Sequence, residues 1–178
     1  DLASYRAAIT ASTKVLYVET PANPTLMITD LRGVVAIARE RGLRVVADNT
    51  FATPYGQRPL SCGVDLVAHS MTKQLGGHGD AIGGALVGSR VLVDAAREIA
   101  VKTFGGMMAP FNAMLIARGI RTFALRARQS CATASKVADV LSTHRRIARV
   151  HYPGHPSHPQ HALARLQMST FGSLVAFE

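Results

Sequence analysis

The sequence has few cysteines, few acidic side chains and no long apolar run. Its two cysteines, Cys62 and Cys131, lie far apart and have no metal-ligating partners at a useful spacing. This excludes a disulfide framework and a zinc site, predicts no metal cofactor, and fits a reducing compartment. No apolar run approaches the roughly 18 residues that a membrane span requires, and no secretory leader is recognisable. We therefore expect a soluble, cytoplasmic protein with no membrane partner.

Acidic residues are scarce relative to basic ones: 11 Asp and Glu stand against 20 Lys and Arg, a formal net charge of +9. This surplus is compatible with nucleic acid, with an anionic substrate, or with acidic surface carried elsewhere in a longer protein. With 48% hydrophobic and 17% charged residues, the 178-residue chain is not a disordered segment and can bury one sizeable core. We expect a globular piece of a longer protein, because the chain opens on Asp1 without Met and closes on what reads as an interrupted strand.

Strand and helix patterns alternate along the first half of the chain. Helical spacing of Leu31, Val34 and Ala38, behind the cap candidates Thr29 and Asp30, predicts one amphipathic helix. Short β-branched or glycine-bearing runs predict four strands, at residues 14–18, 43–47, 64–68 and 82–87, and residues 51–59 read as a loop. The order strand, loop, helix, strand is typical of an α/β protein with a mostly parallel sheet.

The second half predicts mostly helix and a smaller unit. Ser89 is the cap candidate for one helix, and residues 111–141 predict a long helix or a kinked pair, interrupted near Gly119. Residues 147–151 and 174–177 predict two strands, separated by a Pro- and His-rich loop at residues 152–161. We interpret these strands as belonging to a second, smaller unit.

Polar side chains follow three of the predicted strands, at the ends where an open α/β sheet binds ligands. Asn23 lies in a proline-bounded loop after the first strand, Asp48 closes the second, and Ser70, Thr72 and Lys73 follow the third. Pyridoxal phosphate requires a lysine amine for its aldehyde, a carboxylate for its pyridine nitrogen and neutral donors for its phosphate. Because each requirement has a candidate here, we interpret Lys73 as a Schiff-base lysine. Taken singly, Lys73 also fits a solvated loop lysine and Asp48 a turn-capping residue.

Three other patterns compete with this interpretation. The glycines between Gly76 and Gly84 resemble a dinucleotide loop, but they precede a strand instead of opening a helix. Prolines interrupt the histidine-rich segment, which disfavours a metal cluster of His151, His155, His158 and His161. A nucleic-acid patch lacks interleaved aromatics, and a solvated face is the simpler interpretation of Arg121, Arg126, Arg128, Arg145, Arg146 and Arg149. We expect no nucleic-acid partner, and a non-catalytic basic binding or assembly module stays as the non-enzymatic alternative.

Six segments carry a resemblance to a known family, at residues 19–25, 48–54, 69–73, 77–80, 118–122 and 152–154. In their order and spacing they resemble the Cys/Met-metabolism class of pyridoxal-phosphate enzymes, and most closely its γ-lyase branch, which acts on methionine or cystathionine. The resemblance implies a fold-type I aminotransferase-like large domain at residues 1–124, incomplete at its N-terminus, and the start of a small C-terminal α/β domain at residues 125–178. It also implies a homotetramer built as a dimer of dimers.

The resemblance further implies a role for each matched residue. Lys73 corresponds to the lysine that binds the cofactor and moves protons, and Asp48 to the partner of the pyridine nitrogen. Ser70 and Thr72 correspond to the phosphate-binding hydroxyls, and Asn23 to the side chain near the cofactor's phenolic oxygen and the substrate carboxylate. The implied reaction is γ-elimination to a 2-oxoacid, ammonia and a thiol, with γ-replacement by a synthase as the alternative. The family's substrate-carboxylate arginine and several of its phosphate ligands have no match here, so we expect the chain by itself to be inactive.

Overall fold

Four strands in chain order form the main sheet of the computed structural model, which describes all of residues 1–178. They are β1 (Val15–Glu19), β2 (Arg44–Asp48), β3 (Leu66–Ser70) and β4 (Gly84–Gly88). β1, β2 and β3 are parallel, and β4 runs antiparallel to β3. The predicted α/β architecture with a mostly parallel sheet is confirmed.

Helices connect and cover these strands. They are α1 (Leu2–Ala8), α2 (Leu31–Glu40), α3 (Thr53–Gly56), α4 (Arg90–Arg97), α5 (Pro110–Ile120), α6 (Phe123–Ser142) and α7 (His161–Gln167). A 3₁₀ turn spans Pro59–Cys62, and π-helical turns span Met71–Leu75 and Glu98–Thr103. The predicted helix pair around Gly119 is confirmed as α5 and α6. None of these helices combines the length and the apolar character needed to cross a bilayer.

The main core lies between α2 and one face of the sheet. Asp30 caps α2 as predicted, since its carboxylate accepts from the Gly33 N–H at 3.0 Å. Each strand alternates buried and more exposed residues, so that Val18 and Val45 face the helix residue Leu31 in an 11-residue cluster. The opposite face of the sheet stays half-exposed.

Three predictions about the first half were wrong in detail, and one of them is β4, which begins at Gly84 instead of residue 82. β3 begins two residues later than the predicted strand, at Leu66, and it extends to include Ser70. The predicted loop at residues 51–59 contains the short helix α3, because buried side chains hold it from both sides. Gln57 donates to the Thr20 carbonyl at 3.1 Å and to Asn49 Oδ1 at 3.0 Å. Such contacts join residues far apart in the chain.

A two-stranded antiparallel sheet of β5 (Val150–His151) and β6 (Ala176–Phe177) lies in the region predicted to be a second unit. Both strands lie within the predicted ranges but are shorter, and α7, which follows the proline-rich segment, was not predicted. A four-residue cluster forms its core: Ala134, Ala138, Val150 and Tyr152. The domain boundary at residues 124 and 125 falls inside the continuous helix α6, and it stays a prediction.

Candidate active site

The carboxyl ends of β2 and β3 bring two of the predicted residues to one face of the sheet. Asp48 pairs with Ala68 in the parallel register, and Ser70 lies two residues further along the same strand. Because side chains alternate along a strand, Asp48 and Ser70 lie on the same half-exposed face. This face is the one that α2 does not cover.

Thr50 joins Asp48 to Ser70. The Thr50 N–H donates to Asp48 Oδ1 at 2.9 Å, and the Thr50 hydroxyl accepts from the Ser70 N–H at 2.8 Å. The Tyr17 hydroxyl donates to the second Asp48 oxygen at 3.2 Å. Partial burial and then the Asp48 carboxylate raise the pKa of Tyr17, so the phenol stays a donor. Sequence reasoning assigned no role to Thr50 or Tyr17, although Thr50 lies in the segment that resembles the family.

Lys73 lies in the π-helical turn Met71–Leu75, called here the lysine turn. Its backbone departs from helical geometry, with φ −90° and ψ −132°. The side chain is exposed and forms neither a hydrogen bond nor an ion pair. Lys73 and Thr72 line an open cleft of about 580 Å³, whose other walls come from Thr50, Phe51, Gln74, Gly77, Gly79, Arg126, Gln129, Ser130 and Leu174. A free amine therefore faces a cleft formed by both halves of the chain.

The two predicted phosphate hydroxyls differ in how they are bonded. The Thr72 hydroxyl accepts from the Gly83 N–H at 3.1 Å and donates to the Gly83 carbonyl at 3.3 Å. The Met71 N–H also donates to that carbonyl, at 2.9 Å, so the lysine turn is anchored to the start of β4. The Ser70 hydroxyl has no hydrogen-bond partner in the chain. Ser70 is therefore free to donate, whereas Thr72 also has a structural task.

Of the five predicted site residues, Lys73 and Thr72 line the cleft, Asp48 and Ser70 are joined to it through Thr50, and Asn23 has no such link. It is exposed in the loop after β1, is not among the residues that line the cleft, and forms no hydrogen bond with the other predicted site residues. Its contact with a cofactor or substrate stays a prediction.

His69, which precedes Ser70, points to the buried face and was missed by sequence reasoning. It is 7% exposed, and its Nδ1 atom has no hydrogen-bond partner. Burial lowers the pKa of His69, an effect that the nearby Asp48 carboxylate partly opposes. The imidazole is therefore held in its neutral form beside the β3 strand end.

The histidine-rich segment distributes its side chains among separate partners. His158 bonds the Leu26 carbonyl at 3.1 Å, His161 bonds the Pro153 carbonyl at 2.8 Å, and His151 pairs with Glu178 at 2.8 Å. No three His, Cys, Asp or Glu side chains of the chain are grouped so that they could hold a metal ion. Of the six arginines in the predicted solvated patch, Arg126 was placed wrongly, because its guanidinium bonds internal backbone carbonyls.

Comparison with known proteins agrees with these features. The chain is 48% identical to an L-methionine gamma-lyase of Pseudomonas putida over 179 residues, covering all of this chain and 45% of that protein. It is 46% identical to a cystathionine beta-lyase of Coxiella burnetii, covering 97% and 45% of the two chains. A solved cystathionine gamma-lyase of Lactobacillus plantarum, complexed with L-serine, superposes with a TM-score of 0.95 at 40% identity, covering 100% and 47%.

The chain therefore spans about half the length of the curated relatives it matches. The match to the solved lyase confirms the expected fold-type I class. The family model for Cys/Met metabolism PLP-dependent enzymes matches residues 1–178. On this evidence the chain belongs to the Cys/Met metabolism family of pyridoxal-phosphate-dependent enzymes.

Proposed function

We propose that the protein carrying this chain catalyses γ-elimination on a sulfur amino acid such as methionine or cystathionine, giving a 2-oxoacid, ammonia and a thiol. The observation that carries the proposal is the free Lys73 amine at the cleft, with Asp48 and Ser70 linked to the same cleft through Thr50. Relatives named L-methionine gamma-lyase support the choice of reaction.

The residues present fit pyridoxal phosphate. The cleft of about 580 Å³ falls in the range of typical cofactor sites, and it offers an amine with no competing ion pair. Asp48 supplies a half-buried carboxylate whose orientation Tyr17 and Thr50 fix. Ser70 supplies a hydroxyl without a partner in the chain. The donor set therefore matches the aldehyde, the pyridine nitrogen and the phosphate.

When bound, the cofactor supplies an electron sink for the bond that breaks at the substrate Cα. Lys73 Nζ would hold the cofactor aldehyde; once the substrate amine replaces it, the same atom can take the Cα proton and deliver it elsewhere on the substrate. Asp48 would keep the proton on the pyridine nitrogen, which maintains the ring as an electron acceptor. Loss of the γ-substituent also requires that a proton leaves the substrate Cβ and that the departing sulfur gains one, and Lys73 Nζ, the amine at the cleft, would carry these protons.

The remaining roles follow the donors that are available. The Ser70 hydroxyl would donate to the cofactor phosphate. The Thr72 hydroxyl would also donate to the phosphate if its O–H bond rotated away from the Gly83 carbonyl. Asn23 would contact the phenolic oxygen of the cofactor and the substrate carboxylate. We further propose a cytoplasmic homotetramer, with residues 1–124 in the cofactor-binding domain and residues 125–178 in the start of the small domain.

Labelling of Lys73 tests the cofactor site. The natural full-length protein is mixed with pyridoxal phosphate, its visible absorption band is recorded, and borohydride reduction is followed by peptide mass mapping. We expect the band and a reduced adduct on Lys73, both lost in Lys73→Ala and both kept in Lys136→Arg, a change at an exposed lysine of α6. An adduct that persists elsewhere in Lys73→Ala, with activity intact, would falsify the assignment.

Product analysis tests the reaction. γ-Elimination from methionine or cystathionine yields a four-carbon 2-oxoacid, whereas β-elimination from cystathionine yields a three-carbon one. An added thiol that is incorporated into the product without release of ammonia indicates γ-replacement. Detection of the four-carbon 2-oxoacid with equimolar ammonia supports the proposal, and either other pattern rejects it.

A further inference from the structure

Arg126 holds the lysine turn against the junction of α5 and α6. Its Nη1 donates to the Gln74 carbonyl at 2.8 Å, and its Nη2 donates to the carbonyls of Leu75 at 3.3 Å and Gly119 at 2.9 Å. Its Nε donates to the Thr122 hydroxyl at 3.1 Å. Four of the five N–H bonds of the guanidinium therefore go to fixed acceptors.

Glycines make this close approach possible. Gly77 has φ +80°, and a Cβ atom there would overlap the Arg126 guanidinium. A Cβ atom on Gly119 would overlap the Gly76 carbonyl. Gly76, the residue directly after the lysine turn, is thus in close backbone contact with the end of α5, and the arginine lies beside them.

The contacts of Arg126 with the lysine turn and α5 are hydrogen bonds to neutral groups and not ion pairs. Arg126 is partly buried and forms no salt bridge, so its charge is met by three carbonyl dipoles and the Thr122 hydroxyl. Two of these carbonyls belong to Gln74 and Leu75, the residues directly after Lys73. Arg126 therefore acts on the backbone that carries the amine, and its hydrogen bonds all go to groups other than the amine.

We propose that Arg126 is a positioning residue that fixes the lysine turn, and with it Lys73, relative to α6. The catalytic role of Arg126 rests on the proposed function. The contacts of Arg126 with the Gln74, Leu75 and Gly119 carbonyls, called here the clamp, are present in the chain whatever its function. A lysine at position 126 could not reproduce it, since an ammonium has three donors on one atom and lacks the planar fork that reaches separate carbonyls. The geometry thus links the cofactor lysine to the helix that leads into the second unit.

Amide hydrogen exchange in the cofactor-free, full-length protein tests the clamp without any assay of activity. Gly76 and Gly77 directly follow the lysine turn, and their amides donate back to it, to the Met71 carbonyl at 2.9 Å and the Lys73 carbonyl at 2.8 Å. We expect Arg126→Lys to raise their exchange rates about tenfold or more, because charge-assisted bonds to the turn are lost. Millimolar guanidinium should partly restore protection in Arg126→Ala. Arg128→Lys, at an exposed arginine of the same helix, should change nothing.

Cofactor loading separates this proposal from the proposed function. In Arg126→Lys we expect the rate of Lys73 labelling by pyridoxal phosphate to fall about tenfold, while the far-ultraviolet circular dichroism stays that of the native protein. Unchanged exchange at Gly76 and Gly77, or native labelling kinetics in Arg126→Lys, would overturn the positioning role. If the native protein itself failed to label Lys73, the proposed function would be lost, and the exchange result would still decide whether the clamp exists.

Discussion

The two faces of the main sheet differ in how the chain covers them. Toward α2, Val18, Val45 and Ala47 are at most 1% exposed and belong to the 11-residue core. On the opposite face Tyr17 remains 58% exposed and Asp48 is only half-buried. The polar groups of the proposed site lie on the face that the chain itself leaves open.

This difference follows from the alternation of a strand. Ala47 and Asp48 are adjacent in sequence, yet one packs in the core and the other carries a carboxylate away from it. An unpaired carboxylate would be costly in the core, whereas on the open face it can meet a cofactor. The covered face therefore supplies stability, and the open face carries the polar groups of the proposed site.

Truncation on the covered face gives the largest expected effect on folding. Leu31 is fully buried between α2 and the strands, so Leu31→Ala should lower the free energy of unfolding by about 2–5 kcal/mol. Urea denaturation of the full-length protein measures this loss. Leu166→Ala is the matched control, since that side chain is 88% exposed and should change stability by less than about 0.5 kcal/mol. Equal losses in the two variants would contradict the assignment of the core.

Substitution on the open face should reverse the pattern, with a large effect on the reaction and a small one on folding. Asp48→Asn keeps one acceptor oxygen for the Thr50 N–H and replaces the oxygen that faces Tyr17 with an amide NH₂, which can donate to the phenol oxygen. Because the negative charge is lost, we expect kcat to fall by about 10²–10³. The free energy of unfolding should change by about 1 kcal/mol or less. Steady-state kinetics and urea denaturation measure the two quantities.

Glu19→Gln is the control for Asp48→Asn, because Glu19 is the exposed neighbour of Asp48 on the adjacent strand. It should leave kcat near that of the native protein. If Asp48→Asn destabilised the protein as much as Leu31→Ala while kcat held, the open face would be structural and the comparison between faces would fail.

Much of this arrangement could be predicted from sequence, because local patterns encode it. The helical spacing behind Asp30 located α2, and the strand patterns placed Asp48 and Ser70 near the ends of β2 and β3, with Lys73 in the turn that follows. β3 was misplaced by two residues because the apolar run that marks it begins before the ladder does. Strand ends depend on pairing partners, which a single pattern does not specify.

The contacts that could not be predicted join distant parts of the chain. Arg126 reads as one of several arginines at helical spacing, and only its approach to Gln74, 52 residues away, separates it from a solvated side chain. Gln167 likewise bonds the Thr29 carbonyl and the Leu31 amide across more than 130 residues. Thr50 received no role from sequence, and only its position beside Ser70 gives it one. Such roles come from tertiary geometry and leave no periodic signal.

The pH dependence of the free energy of unfolding gives the smallest expected effect. It tests the covered face of β3, where His69 is the buried neighbour of Ser70. Burial lowers the pKa of His69, so the folded state binds its proton less readily than the unfolded state, whose ordinary pKa is about 6.5. The free energy of unfolding should therefore decrease as the pH falls below about 6.5, before most carboxylates titrate near pH 4. His158 contributes in the same direction, because burial also lowers its pKa.

Urea denaturation as a function of pH separates the two histidines. His69→Gln should remove part of the slope between about pH 6.5 and 5, and His69→Gln combined with His158→Gln should remove most of it. His144→Gln, at an exposed histidine, should leave the slope unchanged. A slope that survives undiminished in the double variant would show that groups other than these two histidines produce it. The covered face would then hold His69 without penalising its protonation, and the division between a structural face and a chemical face would lose this support.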